Sequence, residues 1–410
     1  MFDTHLIRKD FPILTRTIHG KPIVYLDSTA SSLKPKLVLD AIMEYYTKFS
    51  VNIFRGIYTL SEEATQKYED ARVKVAKFIG AKSENEIVFV RNATEAINLV
   101  AATWGRAHLD RESEIVSTVM EHHANIVPWQ EISQKSGAKL SYAGITPDYE
   151  LDIDHLEKLI TSRTKLVVLT YVSNVLGTIN PMKEVIRRIK SKNPKTIILI
   201  DGAQAVPHMS VDVSTFGCDF FVFSGHKMLA PTGVGVLWGK YDLLQEMPPY
   251  QTGGEMIKEV YLEKTIFKDA PHKFEAGTPH IAGTIGLGAA IDYLSTLGMD
   301  AVRKHEEEVT RYALKVLGQL KGVKIFGPER AERKGGVVAF TVLGVHPHDL
   351  AQVLDSDNIC IRSGNHCAMP LHTYLKLSAT ARSSFYIYNT KEEVDLLAGG
   401  IEKATRLFNG

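Results

Sequence analysis

The stretch FFVFSGHK at residues 220–227 is the most informative part of this 410-residue sequence. Its apolar half, Phe220–Phe223, is typical of a strand that is buried on both faces of a sheet. Lys227 then stands just past a buried strand, where a solvated charge is not expected. A desolvated lysine forms Schiff bases readily because its neutral amine is accessible. With Ser224 and His226 available to bind an anion, the stretch predicts a site for pyridoxal 5'-phosphate (PLP).

Short apolar runs like this one alternate with helical patterns between about residues 23 and 290. The other strand-like runs are Glu86–Val90, Glu114–Val119, Leu166–Tyr171 and Ile197–Ile200. Among the helical patterns, Thr59 and Glu62 have capping-box spacing, and Gly80 suits the end of that helix. The alternation predicts an α/β fold with a large, mostly parallel sheet, in which ligands bind at the carboxyl ends of the strands.

The pattern changes near residue 295. A long charged helix at 300–320 leads into the strand-like runs Val323–Phe326 and Gly336–Val342. We therefore expect a large PLP-binding domain at residues 22–294. A smaller α+β domain would comprise residues 1–21 and 295–410.

Composition narrows the class of protein. Lys and Arg number 48 against 47 Asp and Glu, a formal net charge of +1, so neither nucleic acid nor an anionic membrane is an expected partner. No apolar run approaches the roughly 20 residues that span a bilayer, and residues 1–10 lack the apolar core of a signal peptide. Three cysteines suit a reducing compartment. These features predict a cytoplasmic protein without a disulfide framework.

Two strand ends carry candidate cofactor ligands. Thr94 stands where a strand gives way to a helix, and free amides at a helix start attract a phosphate, although the same residues also suit a plain N-cap. Asp201 ends the apolar run 197–200, where a carboxylate needs a cationic partner such as a protonated pyridine nitrogen. That contact keeps the cofactor ring an electron sink. Asn174 and Gln204 are further strand-end polar residues, either of which suits the ring hydroxyl.

A pair of histidines follows another strand. In Glu121–Asn125, one of the two histidines would lie on the cofactor ring and exchange protons near neutral pH. Adjacent histidines also suit a metal, but no third ligand stands at suitable spacing, so we predict no metal site.

The third element is a polar, cationic loop at residues 362–370. It holds Cys367, and its composition favours a thiolate. Cys218 and Cys360 have apolar neighbours and are expected in the core. Arg382, set among small residues, offers the planar fork that binds a substrate carboxylate, or else forms a surface salt bridge.

At this point the sequence resembles the Suf-type (group II) cysteine desulfurases, which are PLP enzymes of aminotransferase class V with the aspartate-aminotransferase-like fold type I. The matching segments run almost from end to end: Tyr25–Asp27, Ala93–Asn98, Glu121–His123, Val172–Gly177, Asp201–Ala205, Ser224–Lys227, Gly253–Ile257, Phe274–Pro279, His366–Pro370 and Tyr388–Thr390. Many matches in the same order are highly specific, whereas any one alone would be weak.

The resemblance implies a role for each matching residue. Lys227 would carry PLP; Thr94, Ser224 and His226 would bind its phosphate, with Thr278 from the partner subunit of a homodimer. Asp201 would pair with the pyridine nitrogen, Gln204 with the ring hydroxyl, and His123 would stack on the ring and move protons. Asn174, Arg362 and Arg382 would bind the substrate carboxylate, and Cys367 would attack the substrate sulfur.

The implied reaction converts L-cysteine to L-alanine and leaves a persulfide on Cys367, which supplies a sulfur acceptor in iron–sulfur cluster assembly. A selenocysteine lyase, or another class V lyase or transaminase, is the alternative reading. A non-catalytic scaffold is a third. The sequence departs from the family pattern at Phe54 and Tyr58, where histidines are usual, and at Asn365, and Ser28 and Thr29 replace the usual Asn-Ala.

Overall fold

A computed structural model describes residues 2–18 and 20–409 of the chain. Met1, His19 and Gly410 lie outside the described residues, so the predicted ranges 1–21 and 295–410 are described only in part. Among the described residues, no single helix has the length and apolarity needed to cross a membrane. Ile281–Leu297 and Met299–Gly318 meet that measure only together, across a bend of 76°.

A seven-stranded sheet forms the centre of the molecule. In spatial order its strands are Ile87–Val90, Gly235–Gly239, Phe220–Ser224, Ile197–Asp201, Thr164–Thr170, Glu114–Thr118 and Lys139–Ala143. The five strands from Phe220–Ser224 to Lys139–Ala143 run parallel, and Gly235–Gly239 is antiparallel to both of its neighbours. The expected large, mostly parallel sheet is confirmed, and with it the α/β fold class of type I.

Helices cover both faces of this sheet, so its inner strands are almost entirely buried. The α-helices are Thr4–Lys9, Lys36–Lys48, Thr59–Phe78, Ala93–Val100, Arg106–His108, Val127–Ser136, Ile153–Leu159, Met182–Lys192, Val213–Phe216, Tyr241–Glu246, Ile281–Leu297, Met299–Gly318, Pro347–Asp355, Met369–Tyr374 and Lys391–Asn409. The helix predicted from Thr59 does begin there, but Tyr58 is its N-cap residue and no side chain caps it.

A second, antiparallel sheet with its own apolar core lies in the C-terminal part of the chain. Its strands are, in order, Val323–Phe326, Val337–Val342, Thr380–Ser384 and Arg362–Gly364. Three two-stranded pairings complete the fold: Thr17–Ile18 with Lys21–Pro22, Ile257–Val260 with Thr265–Phe267, and Val24–Tyr25 with Ile359–Cys360.

The pairing of Val24–Tyr25 with Ile359–Cys360 joins the start of the chain to its C-terminal part. Val24 and Tyr25 fall inside the predicted large domain, so this pairing does not test the predicted place of residues 1–21. The exact division at residues 22–294 stays a prediction.

Candidate active site

A cavity of about 280 Å³ opens at the carboxyl ends of the parallel strands. Almost every residue that the sequence singled out reaches it. Its wall consists of Thr29, Ala30, Asn92, Ala93, Thr94, His122, Ala124, Thr170, Val172, Asn174, Asp201, Ala203, Gln204, Ser224, His226, Lys227, Arg362, His366, Cys367 and Arg382. The position is the one at which α/β sheets bind ligands, because helix starts and strand-end side chains converge there.

One end of the cavity is built to hold an anion. The helix Ala93–Val100 starts there, and its N-cap residue Asn92 accepts a hydrogen bond from the amide of Glu95. Ser224 Oγ accepts from the amide of Ala93 at 2.9 Å, which joins the end of strand Phe220–Ser224 to this helix start. The hydroxyl of Thr94 and the positive end of the helix therefore face the same space as Ser224.

His226 lies at the same end and is held by its backbone. Its carbonyl oxygen accepts hydrogen bonds from the Ser32 hydroxyl and from Lys34 Nζ, at 3.1 and 2.9 Å. Burial, with smaller contributions from Lys227 and Lys34, lowers the pKa of the imidazole to about 4. His226 is therefore neutral near pH 7 and would bind a phosphate as a hydrogen-bond donor.

Asp201 is a buried carboxylate that still needs a cationic partner. Its Oδ1 accepts from the amide of Ala203 at 2.9 Å, and among the described residues no cation contacts it. Burial raises its pKa, while Lys227 acts in the opposite direction. A protonated pyridine nitrogen would supply the missing charge.

Gln204 provides an independent test of whether PLP fits. Its Nε2 donates to the carbonyl oxygen of Thr29 at 2.8 Å, which fixes the side chain. Its Oε1 is buried and has no hydrogen-bond partner among the described residues. A ring hydroxyl would satisfy this acceptor, so the residues present fit the cofactor that the sequence predicted.

Lys227 reaches the cavity from the turn Gly225–Lys227, which follows the strand Phe220–Ser224. Its Nζ makes no hydrogen bond within the described part of the chain. Desolvation lowers the pKa of Lys227 to about 8, although Asp201 favours the charged form. A larger fraction of this amine than of an ordinary lysine is therefore unprotonated near neutral pH, and that form can act as a nucleophile or a base.

Two arginines converge on one carboxylate at the opposite side. Arg382 Nη2 lies 3.1 Å from Asp27 Oδ1, and Arg362 Nη2 lies 3.0 Å from Asp27 Oδ2. Arg382 Nη1 also donates to the carbonyl oxygen of Asn174 at 3.0 Å, whereas its buried Nε has no partner among the described residues. Burial lowers the pKa of Arg382 to about 10, so it remains charged at neutral pH.

This arrangement leaves an oriented guanidinium with an unused donor in the cavity wall, as a substrate carboxylate requires. Asp27 was not among the predicted site residues, although it belongs to the matching segment Tyr25–Asp27.

Cys367 lies on an exposed turn and lines two spaces at once. It belongs to the wall of the cavity and also to that of an outer groove of about 440 Å³ between the helices Ala93–Val100 and Val127–Ser136. The expected contrast with Cys218 is confirmed, since Cys218 is buried and burial raises the pKa of its thiol. Cys360 is half-buried rather than fully enclosed.

The structure favours His122 over His123 for the role at the cofactor ring. His122, not His123, lies in the cavity wall. His123 instead supports the cysteine turn: its amide donates to the carbonyl oxygen of Cys367 at 2.7 Å, and its Nε2 accepts from the amide of Met369 at 3.0 Å. The reason is local: His122 is the N-cap residue of the turn His123–Asn125, where its Nδ1 accepts from the amide of Ala124 at 3.1 Å, and its ring lies at 50° to that of His123. Burial and the nearby Lys227 lower the pKa of His122 to about 3.

Some predicted residues lie elsewhere. Thr278 is exposed and lines a separate groove with Glu95 and His280, so its predicted role in a partner's site stays a prediction. Phe54, which has a φ of 72°, packs edge-on against Tyr68 and does not line the cavity; nor does Tyr58. No group of three or more potential metal ligands occurs among the described residues.

The sequence reasoning missed Glu121, a fully buried carboxylate next to His122. It accepts hydrogen bonds from the Thr118 hydroxyl, the Thr170 amide and the Asn125 side chain, at 2.7, 2.9 and 2.7 Å. Desolvation outweighs these donors and raises its pKa to about 8. The available signal was a glutamate after the apolar residues Val119 and Met120, which follow the strand Glu114–Thr118.

Comparisons with known proteins agree with this geometry. The family model described as aminotransferase class-V matches residues 24–397. A probable cysteine desulfurase of Halalkalibacterium halodurans is 51% identical, with 99% of each chain covered. A cysteine desulfurase of an Enterobacter species is 47% identical, with 99% of each chain covered.

Two solved structures share the fold over nearly the whole chain, at lower sequence identity. The cysteine desulfurase CsdA of Escherichia coli superposes with a TM-score of 0.92 at 36% identity, over 100% of both chains. The apo cysteine desulfurase of Thermococcus onnurineus gives 0.93 at 39% identity, covering 99% of this chain and 98% of that one.

Proposed function

This chain belongs to the aminotransferase class-V family, and from that premise we propose that it is a PLP-dependent cysteine desulfurase. It converts L-cysteine to L-alanine and takes the substrate sulfur onto Cys367 as a persulfide. One observation carries the proposal: Lys227, Asp201, Arg382 and Cys367 line a single cavity.

Each end of the cavity has a distinct task. Thr94, Ser224 and His226 would hold the phosphate of PLP, Asp201 its pyridine nitrogen and Gln204 Oε1 its hydroxyl. When bound, PLP supplies an electron-withdrawing ring that stabilises the negative charge left at the substrate α-carbon.

The residues of the chain then orient the substrate and move its protons. Arg382 and Asn174 would bind the substrate carboxylate, with Arg362 nearby, and Asp27 fixes both guanidinium groups. Lys227 Nζ would accept the α-proton, for which a pKa of about 8 is well suited. His122 would lie against the ring as a neutral imidazole, since its pKa of about 3 keeps it unprotonated at pH 7.

Sulfur transfer is a displacement at the substrate sulfur. The Cys367 thiolate forms a bond to that sulfur while the carbon–sulfur bond breaks. The electron pair of the broken bond stays with the carbon fragment, which takes up protons and leaves as L-alanine. No external oxidant is required, because the persulfide and the alanine together hold the same electrons as cysteine and the thiol.

We further propose that the sulfur leaves through the outer groove. Cys367 borders both this groove and the cavity, so a persulfide formed in one space is available to an acceptor thiol in the other. The acceptor would be a protein of iron–sulfur cluster assembly in the cytoplasm.

The active form would be a homodimer in which Thr278 reaches the partner's phosphate site. Exposed apolar side chains on two loops support this proposal, among them Ile57 and Leu262, which are 95% and 102% exposed in the single chain. Burial of these side chains against a partner subunit would remove their apolar surface from water.

Mass spectrometry after exposure to L-cysteine tests the function. We expect added sulfur on Cys367 and an equal amount of released L-alanine. Cys360→Ser is the matched control and should behave as the parent, while Cys367→Ala should lose cysteine turnover. A Cys367→Ala variant that still consumes cysteine at the parental rate would rule out this mechanism. If that variant cleaves only selenocysteine, the protein is a selenocysteine lyase instead.

A further inference from the structure

A chain of hydrogen bonds links the two residues that flank Cys367, and the backbone of residues 366–368 closes it into a ring. His366 Nε2 lies 2.9 Å from Thr380 Oγ1, which lies 3.2 Å from His372 Nε2. His372 Nδ1 in turn lies 3.1 Å from the carbonyl oxygen of Ala368. The ring therefore begins at the residue before Cys367 and returns to the residue after it. Thr380 and His372 do not line the cavity.

The acceptors in this ring fix where each proton lies. A carbonyl oxygen can only accept, so His372 Nδ1 must donate to Ala368. In a neutral imidazole Nε2 then has no proton and must accept, so the Thr380 hydroxyl donates to it. Having used its single proton, Thr380 Oγ1 accepts from His366 Nε2, which also lies 3.1 Å from the Thr380 carbonyl oxygen.

Two further observations agree with this assignment of hydrogen-bond donors and acceptors. His366 Nδ1, which the scheme leaves unprotonated, is buried and has no hydrogen-bond partner among the described residues. Burial lowers the pKa of His372, and burial, with Arg382 adding to it, lowers the pKa of His366 to about 2. Both shifts favour the neutral form of the rings, in which each hydrogen bond has one defined donor.

The turn that the ring encloses is strained. His366 and Cys367 have φ angles of 53° and 56°, in the left-handed region that residues other than glycine rarely adopt. Two such residues in succession need surrounding contacts that impose the conformation. From the cavity side, Asn174 Nδ2 donates to the carbonyl oxygen of His366 at 2.8 Å. From the protein side, the buried ring through Thr380 makes the corresponding contacts.

We propose that Thr380 is a positioning residue for sulfur transfer: through His366 and His372 it holds the strained turn that presents Cys367 to the cavity. Thr380 touches neither substrate nor cofactor, and its effect passes through the two rings. This inference rests on the proposed role of Cys367. The new claim is that the hydroxyl of Thr380, and not merely the size of its side chain, determines where the sulfur of Cys367 lies.

Amide hydrogen exchange of the cofactor-free protein tests the proposal without requiring turnover. Thr380→Val keeps the shape of the side chain but removes both hydrogen bonds of the hydroxyl. We expect exchange in the segment 365–376 to become about tenfold faster, because a buried hydrogen bond is lost on each side. Thr380→Ser keeps the hydroxyl and should restore the parental rate.

The matched control is Thr310→Val. Thr310 is also fully buried, but its hydroxyl has no hydrogen-bond partner among the described residues. This variant should leave exchange in 365–376 unchanged. Should Thr380→Val fail to fold, His372→Leu breaks the same ring at its next member and should loosen the same segment.

In the PLP-loaded enzyme, Thr380→Val should lower kcat about tenfold or more while KM for cysteine changes less than threefold, since Arg382 and Asn174 are still present. The proposal is overturned if Thr380→Val leaves amide exchange in 365–376 unchanged, or if Thr310→Val accelerates that exchange as much. It is also overturned if Thr380→Ser exchanges as fast as Thr380→Val. If the segment loosens in Thr380→Val but Cys367 of the parent protein takes no sulfur from cysteine, Thr380 still holds the strained turn and the desulfurase mechanism fails.

Discussion

Breaking the buried ion pair between Arg72 and Glu275 should destabilise the protein severely. The Arg72 side chain is 1% exposed and that of Glu275 is 6% exposed, and two hydrogen bonds of 2.7 and 2.9 Å join them. Arg72 also donates to the carbonyl oxygen of Ile87 at 2.8 Å, and Glu275 accepts from the amide of Phe89 at 2.8 Å. The pair thus joins the helix Thr59–Phe78 to the strand Ile87–Val90, which leads into the phosphate end of the cavity.

The expected loss of stability follows from the contacts that Glu275 keeps when Arg72 is replaced. Arg72→Met leaves Glu275 with the Phe89 amide and a long contact of 3.4 Å from the Tyr68 hydroxyl. Removing one partner of a buried ion pair costs about 3–5 kcal/mol, because the other charge stays desolvated. Adding Glu275→Gln removes that charge. The double variant should therefore be more stable than Arg72→Met alone.

Urea unfolding followed by circular dichroism measures the effect, at one fixed protein concentration because any dimerisation changes the apparent stability. Lys74→Met is the control, since Lys74 is on the same helix and pairs with Asp292 at the surface. Exposed pairs contribute little, so the control should shift the midpoint far less. The reasoning is refuted if Arg72→Met and Lys74→Met lower the midpoint equally, or if Glu275→Gln gives no relief.

Three further outcomes follow from the site. Acetylation of Lys227 in the cofactor-free protein, quantified by mass spectrometry, should rise with pH through a midpoint near 8, since desolvation favours the free amine; a midpoint near 10.5 would contradict this. His122→Ala should lower kcat/KM by more than about tenfold, because it removes the side chain that would lie against the cofactor ring, whereas His123→Ala should lower it about tenfold at most; the reverse order would support the assignment made from sequence. Lys334→Met should lower the urea midpoint and raise KM for cysteine, because buried Lys334 donates to the carbonyl oxygen of Leu176 near the cavity wall; unchanged values would show that this contact is dispensable.

The sequence predicted which residues line the cavity where the end of a single strand determines the position of the residue. Ser224, Lys227 and Asp201 each follow an apolar run, and the carboxyl ends of neighbouring parallel strands meet, so their convergence was predictable. The same logic could not distinguish the adjacent histidines, since the backbone of a short turn, and not the strand before it, decides which of two consecutive side chains faces the cavity.

Contacts between distant segments were not predictable. Asp27 meets Arg362 and Arg382 only because the chain folds back over more than 330 residues, and no local pattern specifies that encounter. The antiparallel strand Gly235–Gly239 was also missed, since glycine at both of its ends is more typical of turns. Gly235 is needed there because a Cβ would lie 2.6 Å from Asn92 Cα.

The parallel pairing of Val24–Tyr25 with Ile359–Cys360 has a consequence for biosynthesis. On the ribosome, the strand Val24–Tyr25 is made some 335 residues (359 minus 24) before its partner strand Ile359–Cys360. Synthesis of that length takes roughly 20–70 s at about 5–20 residues per second. Until then its edge is open to other nascent chains. Asp27, two residues further on, likewise has no arginine to meet, so the carboxylate-binding side of the cavity would be among the last parts of the protein to mature.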